Sequence, residues 1–133
     1  MNFVSIGKDL EINFDCFLYI AVYDDGLIVA QPGKYHFSDK DFQCLYKNLH
    51  HKIVKFSVIN DQRYDFHFNL FCEYPTIYAN IDKITSFSKA DFYNQDVRMH
   101  GKKPIKSTRI TIGDECFYTI PEIFDEIKSK IGK

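Results

Sequence analysis

Lys55, Asp65 and His67 come closest, of all the residues in this chain, to the types and spacing of an acid–base site. An imidazole that is oriented by a carboxylate and lies near an amine can accept and donate protons close to neutral pH. The three fall in a segment, 53–72, whose apolar residues alternate as they do along strands. An odd loop at residues 60–62 places the apolar side chains on one face and brings Lys55 next to His67 on the other. We call Lys55, Asp65 and His67 the polar strip.

The same alternation is typical of a sheet with one solvated face. Val54, Phe56 and Val58 are predicted to form the buried face, and no nucleophile accompanies the polar strip. We therefore predict that the chain has no catalytic residues. A small enzyme or ligand-binding protein that uses the polar strip is kept as an alternative.

No other motif indicates catalysis, a metal or a cofactor. His50 and His51 come at the end of a predicted helix, where a positive charge interacts favourably with the helix dipole. Glu126 and Lys128 have the Glu-x-Lys spacing of some metal-dependent nucleases, but they lie on the exposed face of a predicted helix rather than on a strand. The six glycines are scattered, so no phosphate-binding loop is predicted. The prediction is a protein without cofactor or metal.

Basic residues are concentrated in segment 98–109. They are Arg98, His100, Lys102, Lys103, Lys106 and Arg109. Such a segment can follow a phosphate backbone, and the nearby Tyr93 could stack on a base. A nucleic-acid-binding module is therefore a second alternative, although a solvated loop explains the same residues and the net charge of −1 gives no global attraction for nucleic acid.

Acidic residues recur at predicted turns and first helical turns. They are Asp24, Asp25, Asp39, Asp41, Asp114, Glu115, Glu122, Asp125 and Glu126. Each has a local explanation as a turn former or as a partner of a helix dipole. If these side chains share one side of the molecule, they present a negative surface that would bind a basic protein rapidly. We predict that they form the partner-binding surface.

Composition bounds the class of protein. At 133 residues, 45% apolar and 26% charged, the chain is predicted to be a single globular domain spanning 1–133. Phe, Tyr, Met, Ile, Asn and Lys supply 61 residues, whereas Gly, Ala, Arg and Pro supply 17, a bias typical of AT-rich bacterial, phage or mobile-element genomes. No long apolar run indicates a membrane segment. Cys16, Cys44, Cys72 and Cys116 have no metal-binding or disulfide-framework spacing and are interpreted as buried apolar fillers in a reducing cytoplasm.

Two amphipathic helices are predicted. Ser38 is a capping residue, and an apolar stripe runs through 39–51. The second helix begins at Pro121 and ends before Gly132, with acidic residues early and lysines late. Ser88, followed by Asp91 at the capping spacing, is a weaker start for a third helix.

The remaining segments are predicted to be strands. Residues 17–23 and 27–30 form one hairpin, and residues 108–112 and 115–120 form another. The fold class is therefore α+β, with a mainly antiparallel sheet of five to seven strands and two or three helices packed on it. Together with the missing catalytic motifs, this predicts a non-enzymatic, cytoplasmic inhibitor of the immunity or antitoxin type, which binds a basic, nuclease-like toxin or effector.

Overall fold

The structure, a computed structural model, describes residues 2–59, 75–93, 101 and 103–132. These residues form two α-helices, α1 (Asp39–Leu49) and α2 (Ile123–Ile131). They also form ten strands, which are β1 (Phe3–Ile6), β2 (Leu10–Asn13), β3 (Tyr19–Val22), β4 (Ile28–Gln31), β5 (Tyr35–His36), β6 (Ile53–Ser57), β7 (Thr76–Asn80), β8 (Ile84–Phe92), β9 (Ile105–Ile112) and β10 (Glu115–Thr119).

The ten described strands form three antiparallel sheets. One sheet has five strands in the order β5-β4-β3-β7-β6, another has three in the order β10-β9-β8, and β1 pairs with β2 alone. The predicted α+β class with mainly antiparallel pairing is confirmed. The predicted strand count is matched only in part, because the largest sheet has five strands and the other five described strands form two further sheets.

Helix α1 begins where the capping pattern predicts. The Ser38 side chain accepts a hydrogen bond of 3.1 Å from the Asp41 backbone N–H. Phe42, Leu45 and Leu49 are buried, and each side chain contributes about 1.5–3 kcal/mol of hydrophobic stabilisation. The helix therefore covers the five-stranded sheet with one apolar stripe, as its sequence indicates.

Helix α2 packs on the opposite face of that sheet. Ile123 and Ile127 are buried. The Lys130 ammonium group donates hydrogen bonds to the backbone carbonyls of His50, at 3.3 Å, and of Ile53. These contacts place the last turn of α2 beside the start of β6.

The five-stranded sheet separates two hydrophobic cores. Alternation along β3 sends Ile20 to the core beneath α1 and the β1–β2 hairpin, and sends Tyr19 and Ala21 to the core beneath α2 and the three-stranded sheet. Strands apolar on both faces are expected in the middle of such a layered arrangement.

Two sequence interpretations are wrong. Ser88 does not start a helix but lies in β8, opposite Arg109 of β9. Its capping pattern had only a short apolar stretch behind it, and cross-strand pairing overrides so weak a local preference. The cysteines are not buried fillers either, because Cys16, Cys44 and Cys116 are exposed free thiols, and Cys72 lies outside the described residues. Cys16 lies in a short 3-10 helix, Cys44 on α1 outside its buried stripe, and Cys116 in β10, and none of these positions is buried in a core.

Candidate functional site

The β3–β4 turn holds two carboxylates at one end of the five-stranded sheet. The Tyr23 N–H donates to the Leu27 carbonyl at 2.9 Å, and Gly26 adopts a φ of 92°, which a tight turn of this kind requires. One Asp25 carboxylate oxygen accepts the Leu27 N–H at 3.0 Å. Asp24 and Asp25 are both exposed, so the turn presents their charges to solvent.

The start of α1 lies at the same end of the sheet. Strand β5 returns antiparallel to β4, and the Phe37 N–H donates to the Ile28 carbonyl at 2.9 Å. Asp39 follows Phe37 by two residues, and Asp25 precedes Ile28 by three. The carboxylates of Asp25 and Asp39 are therefore separated by a distance on the order of 15 Å. The sheet register therefore gathers acidic residues that are far apart in sequence.

The β1–β2 turn adds a third acidic element. One oxygen of Asp41, in the first turn of α1, accepts the Gly7 N–H at 2.8 Å. This bond joins the turn to the helix and brings the exposed Asp9 to the same end. Sequence reasoning missed Asp9, because only the long-range contact between Gly7 and Asp41 places it there.

We call Asp9, Asp24, Asp25, Asp39 and Asp41 the acidic end. Two lysines, Lys8 and Lys40, lie in the same turns and leave the group with an excess of negative charge. Ion pairs between described residues join Lys52 to Asp82 and Lys106 to Asp91, and neither involves the acidic end. Within the described part of the chain, no carboxylate of the acidic end therefore forms an ion pair.

Asp114 and Glu115 lie at the opposite end of the five-stranded sheet. A Cβ on Gly113 would come within 2.9 Å of Leu18 Cδ1, which places the β9–β10 turn against the beginning of β3. Leu18 and Asp24 are six residues apart along nearly extended chain, on the order of 20 Å. The structure thus separates these two acidic residues from the acidic end.

Glu115 lies beside Tyr19, a buried residue of the core beneath α2. Tyr19 is 7% exposed, and its ring packs edge-on against Phe117 with centroids 5.4 Å apart. Burial is the largest cause that raises the pKa of Tyr19 above its ordinary value, and the nearby Glu115 carboxylate adds to the rise. Glu115 therefore has a structural role at this end.

The acidic residues of α2 lie beside basic ones. Glu122 and Asp125 line a cleft of about 580 Å³ with Lys89, Asp91 and Lys106. The Lys106 ammonium group is 2.9 Å from an Asp91 oxygen, and this hydrogen bond raises the pKa of Lys106. Glu126 and Lys128 lie on exposed positions of the helix, as their sequence predicts. This cleft has charges of both signs and is distinct from the acidic end.

The other two candidate sites are only partly described. Lys55 of the polar strip is exposed, with its Nζ 5.6 Å from the centroid of the Tyr78 ring, whereas Asp65 and His67 lie outside the described residues. The described partner of β6 is β7, with Phe56 opposite Ile77. The predicted pairing of β6 with residues 64–70 lies outside the described ranges.

The basic segment is described at Lys103, Lys106 and Arg109, and Arg98, His100 and Lys102 lie outside the described residues. Lys106 is paired with Asp91, and the Arg109 Nε–H donates to Cys116 Sγ at 3.0 Å. Two of its described cations therefore have partners within the chain.

The described residues contain neither a metal-binding cluster nor a membrane-spanning helix. Within residues 2–59, 75–93, 101 and 103–132, no three His, Cys, Asp or Glu side chains converge as metal ligands. No helix in these same ranges is both long enough and apolar enough to cross a bilayer. His50 Nδ1 lies 3.2 Å from the Lys47 carbonyl oxygen, next to the end of α1, as expected of a residue that interacts with the last helical turn.

Comparison of the chain with protein-family models, with curated proteins and with solved structures finds no match.

Proposed function

We propose that this chain is a non-enzymatic, protein-binding inhibitor of the immunity or antitoxin type, which binds a basic, nuclease-like toxin or effector through the acidic end. The observation that supports this proposal is the convergence of five carboxylates, without ion pairs among the described residues, from three separate turns. A surface of one sign attracts a partner of the opposite sign and raises the rate of association.

The local roles of these carboxylates do not account for all of them. Asp25 and Asp41 each accept one backbone hydrogen bond, which uses one oxygen and leaves the charge in place. Asp9 and Asp24 accept none from the described residues. Because like charges at one end of a fold repel one another, binding of a basic partner would relieve a cost that the free protein bears.

An exposed apolar side chain lies beside the acidic end. Leu27, next to the β3–β4 turn, is 42% exposed. Interfaces commonly combine apolar anchors that contribute affinity with charged rims that contribute association rate. Leu27 flanked by Asp24 and Asp25 provides both kinds of group, so this turn is the proposed centre of the interface.

We further propose that the protein acts in a reducing cytoplasm. Cys16, Cys44 and Cys116 are exposed and unpaired, which suits a compartment where thiols stay reduced. Acid–base catalysis is not part of the proposal, and the change His67→Ala is expected to leave inhibition intact.

Site-specific photo-crosslinking in the native cell tests this function. A photoreactive phenylalanine at position 24 should capture a basic protein, and the same group at position 114 should not. Asp24 and Asp114 are matched, because both are exposed turn residues next to an Asp or Glu and close to a glycine. The purified partner should degrade nucleic acid and should lose that activity when mixed with one equivalent of this chain. Equal capture from both positions, or a partner whose activity is unchanged, would contradict the proposal.

A further inference from the structure

A groove of about 470 Å³ separates β1 from α1. Its first wall is residues 2–5, and its second is one face of the helix. The helical residues are Asp41, Cys44, Leu45, Asn48 and Leu49. Their spacing of three and four residues follows one side of α1, so the groove runs along the helix from the acidic end.

The edge of β1 that is not paired with β2 has free backbone groups. The Phe14 N–H donates to the Asn2 carbonyl at 2.6 Å, and Val4 and Ile6 pair opposite Ile12 and Leu10. Because hydrogen-bonded pairs alternate along antiparallel strands, the N–H and C=O groups of Phe3 and Ser5 point away from β2. No hydrogen bond joins these four groups to another part of the described chain.

This edge carries no lysine, no proline and no bulge. Exposed edges are commonly protected by lysine, proline or a bulge. The sequence of β1 is Phe-Val-Ser-Ile, and its pairing has no register shift. By contrast β8, one of the two outer strands of the three-stranded sheet, contains Lys89 and a register shift between Ile84 and Ser86.

The side chains of the groove favour an extended occupant in which apolar residues stand at every second position. Val4, Leu45 and Leu49 are buried and form an apolar floor, whereas Phe3 is 58% exposed at the rim. Asp41 places a carboxylate at one end of the groove, next to the rest of the acidic end. An extended segment with apolar residues at every second position and a basic residue near Asp41 is complementary to all of these groups.

We propose that the groove between β1 and α1 binds an extended, basic segment of the partner, whose backbone pairs with Phe3 and Ser5. The identity of that segment as part of an inhibited partner rests on the function proposed above. The β1 strand of a second copy fits the groove less well, because it carries no basic residue to meet Asp41.

Short synthetic peptides test the groove without the partner. The probe is an acetylated peptide of alternating lysine and valine. Upon addition of this peptide, the amide resonances of Phe3 and Ser5 should shift, and alkylation of Cys44 should slow while alkylation of Cys116 stays unchanged. Cys116 is a suitable control because it is also an exposed free thiol and lies outside the groove.

Two chemical controls examine the mode of binding. N-methylation of one alternating set of peptide amides should abolish binding, and N-methylation of the other set should not, since only one set can face β1. A glutamate–valine peptide should not bind. Equal binding of both methylated peptides, or binding of the acidic peptide, would overturn the proposal.

A pair of protein variants separates the groove from the rest of α1. Cys44→Tyr fills the groove and should weaken peptide binding by at least about tenfold, whereas Gln43→Tyr, on the exposed neighbouring position, should leave it within about twofold.

Other outcomes would identify a different occupant or separate the two proposals. If the amide resonances of Phe3 and Ser5 shift with protein concentration alone, a second copy occupies the groove and the inference is wrong. If the peptide binds but a photoreactive group at position 24 captures no basic protein, the proposed function fails while the groove stands. If a photoreactive group at position 24 captures a basic protein but the peptide does not bind, the groove proposal is wrong while the proposed function stands.

Discussion

Acidic turns occur at both ends of the five-stranded sheet, and their surroundings differ. At the β9–β10 turn, Glu115 lies beside the buried Tyr19, and Gly113 packs against Leu18. At the β3–β4 turn, Asp24 and Asp25 project into solvent beside the carboxylates of α1 and the β1–β2 turn. Acidic turns therefore pack beside a buried side chain at one end and leave an excess of negative charge in solvent at the other.

Substitutions in the core at the Glu115 end should have the largest effect on stability. Tyr19→Ala removes a buried ring that contacts Phe117 and should lower the free energy of unfolding by about 3–5 kcal/mol. Asp24→Ala, at the acidic end, should change it by less than about 0.5 kcal/mol. Urea denaturation measures both values. Similar losses for the two variants would remove the distinction between the ends.

Alkaline pH should reveal the burial of the Tyr19 hydroxyl group beside Glu115. The pKa of Tyr19 lies above its ordinary value of 10.0, so the folded chain holds this proton more tightly than the unfolded chain. The stability that this difference contributes is fully present below pH 10.0 and is lost as the pH rises above it. The difference in unfolding free energy between the natural protein and Tyr19→Phe should therefore shrink with rising pH in that range. A constant difference would contradict the assignment.

The acidic end depends on the cap of α1 for its geometry. Ser38→Ala removes the hydrogen bond to the Asp41 N–H and should lower the free energy of unfolding by about 1 kcal/mol. Ser88→Ala is the matched control, because Ser88 has a similar sequence context but lies in β8. Its effect should stay within about 0.5 kcal/mol. Equal losses in thermal or urea denaturation would show that the cap has no special role.

Removal of charge from the acidic end should stabilise the free protein slightly. Asp9→Asn combined with Asp24→Asn reduces repulsion among the five carboxylates without disturbing a hydrogen bond between described residues. The free energy of unfolding should rise by up to about 0.5 kcal/mol at low salt, and the gain should vanish at high salt. A loss of stability would indicate that these two residues support the fold.

The sequence predicts the elements that depend on local signals. The Ser38 cap with its apolar stripe predicts α1, and the turns at Gly26 and Gly113 predict two of the hairpins. It does not predict β8, because pairing of Ser88 with Arg109 is a tertiary contact that local propensity does not encode.

The candidate site is predicted less completely than the fold. Asp24, Asp25, Asp39 and Asp41 are found from their positions in turns and at a helix start. Their convergence depends on the register of β4 with β5, and the inclusion of Asp9 depends on the bond between Gly7 and Asp41. These are contacts between distant parts of the chain, so composition and periodicity alone leave the grouping open.

The most direct test of the account compares one charge reversal at each end of the sheet. Asp24→Lys and Asp114→Lys both change exposed turn residues, and both proteins should remain as stable as the natural one within about 0.5 kcal/mol. Stopped-flow association with the basic partner captured from position 24 is measured at low and at high salt. We predict that Asp24→Lys slows association severalfold at low salt and far less at high salt, while Asp114→Lys leaves the rate nearly unchanged. Equal rates for the two variants, or slower association of Asp114→Lys, would contradict the claim that the acidic end binds the partner.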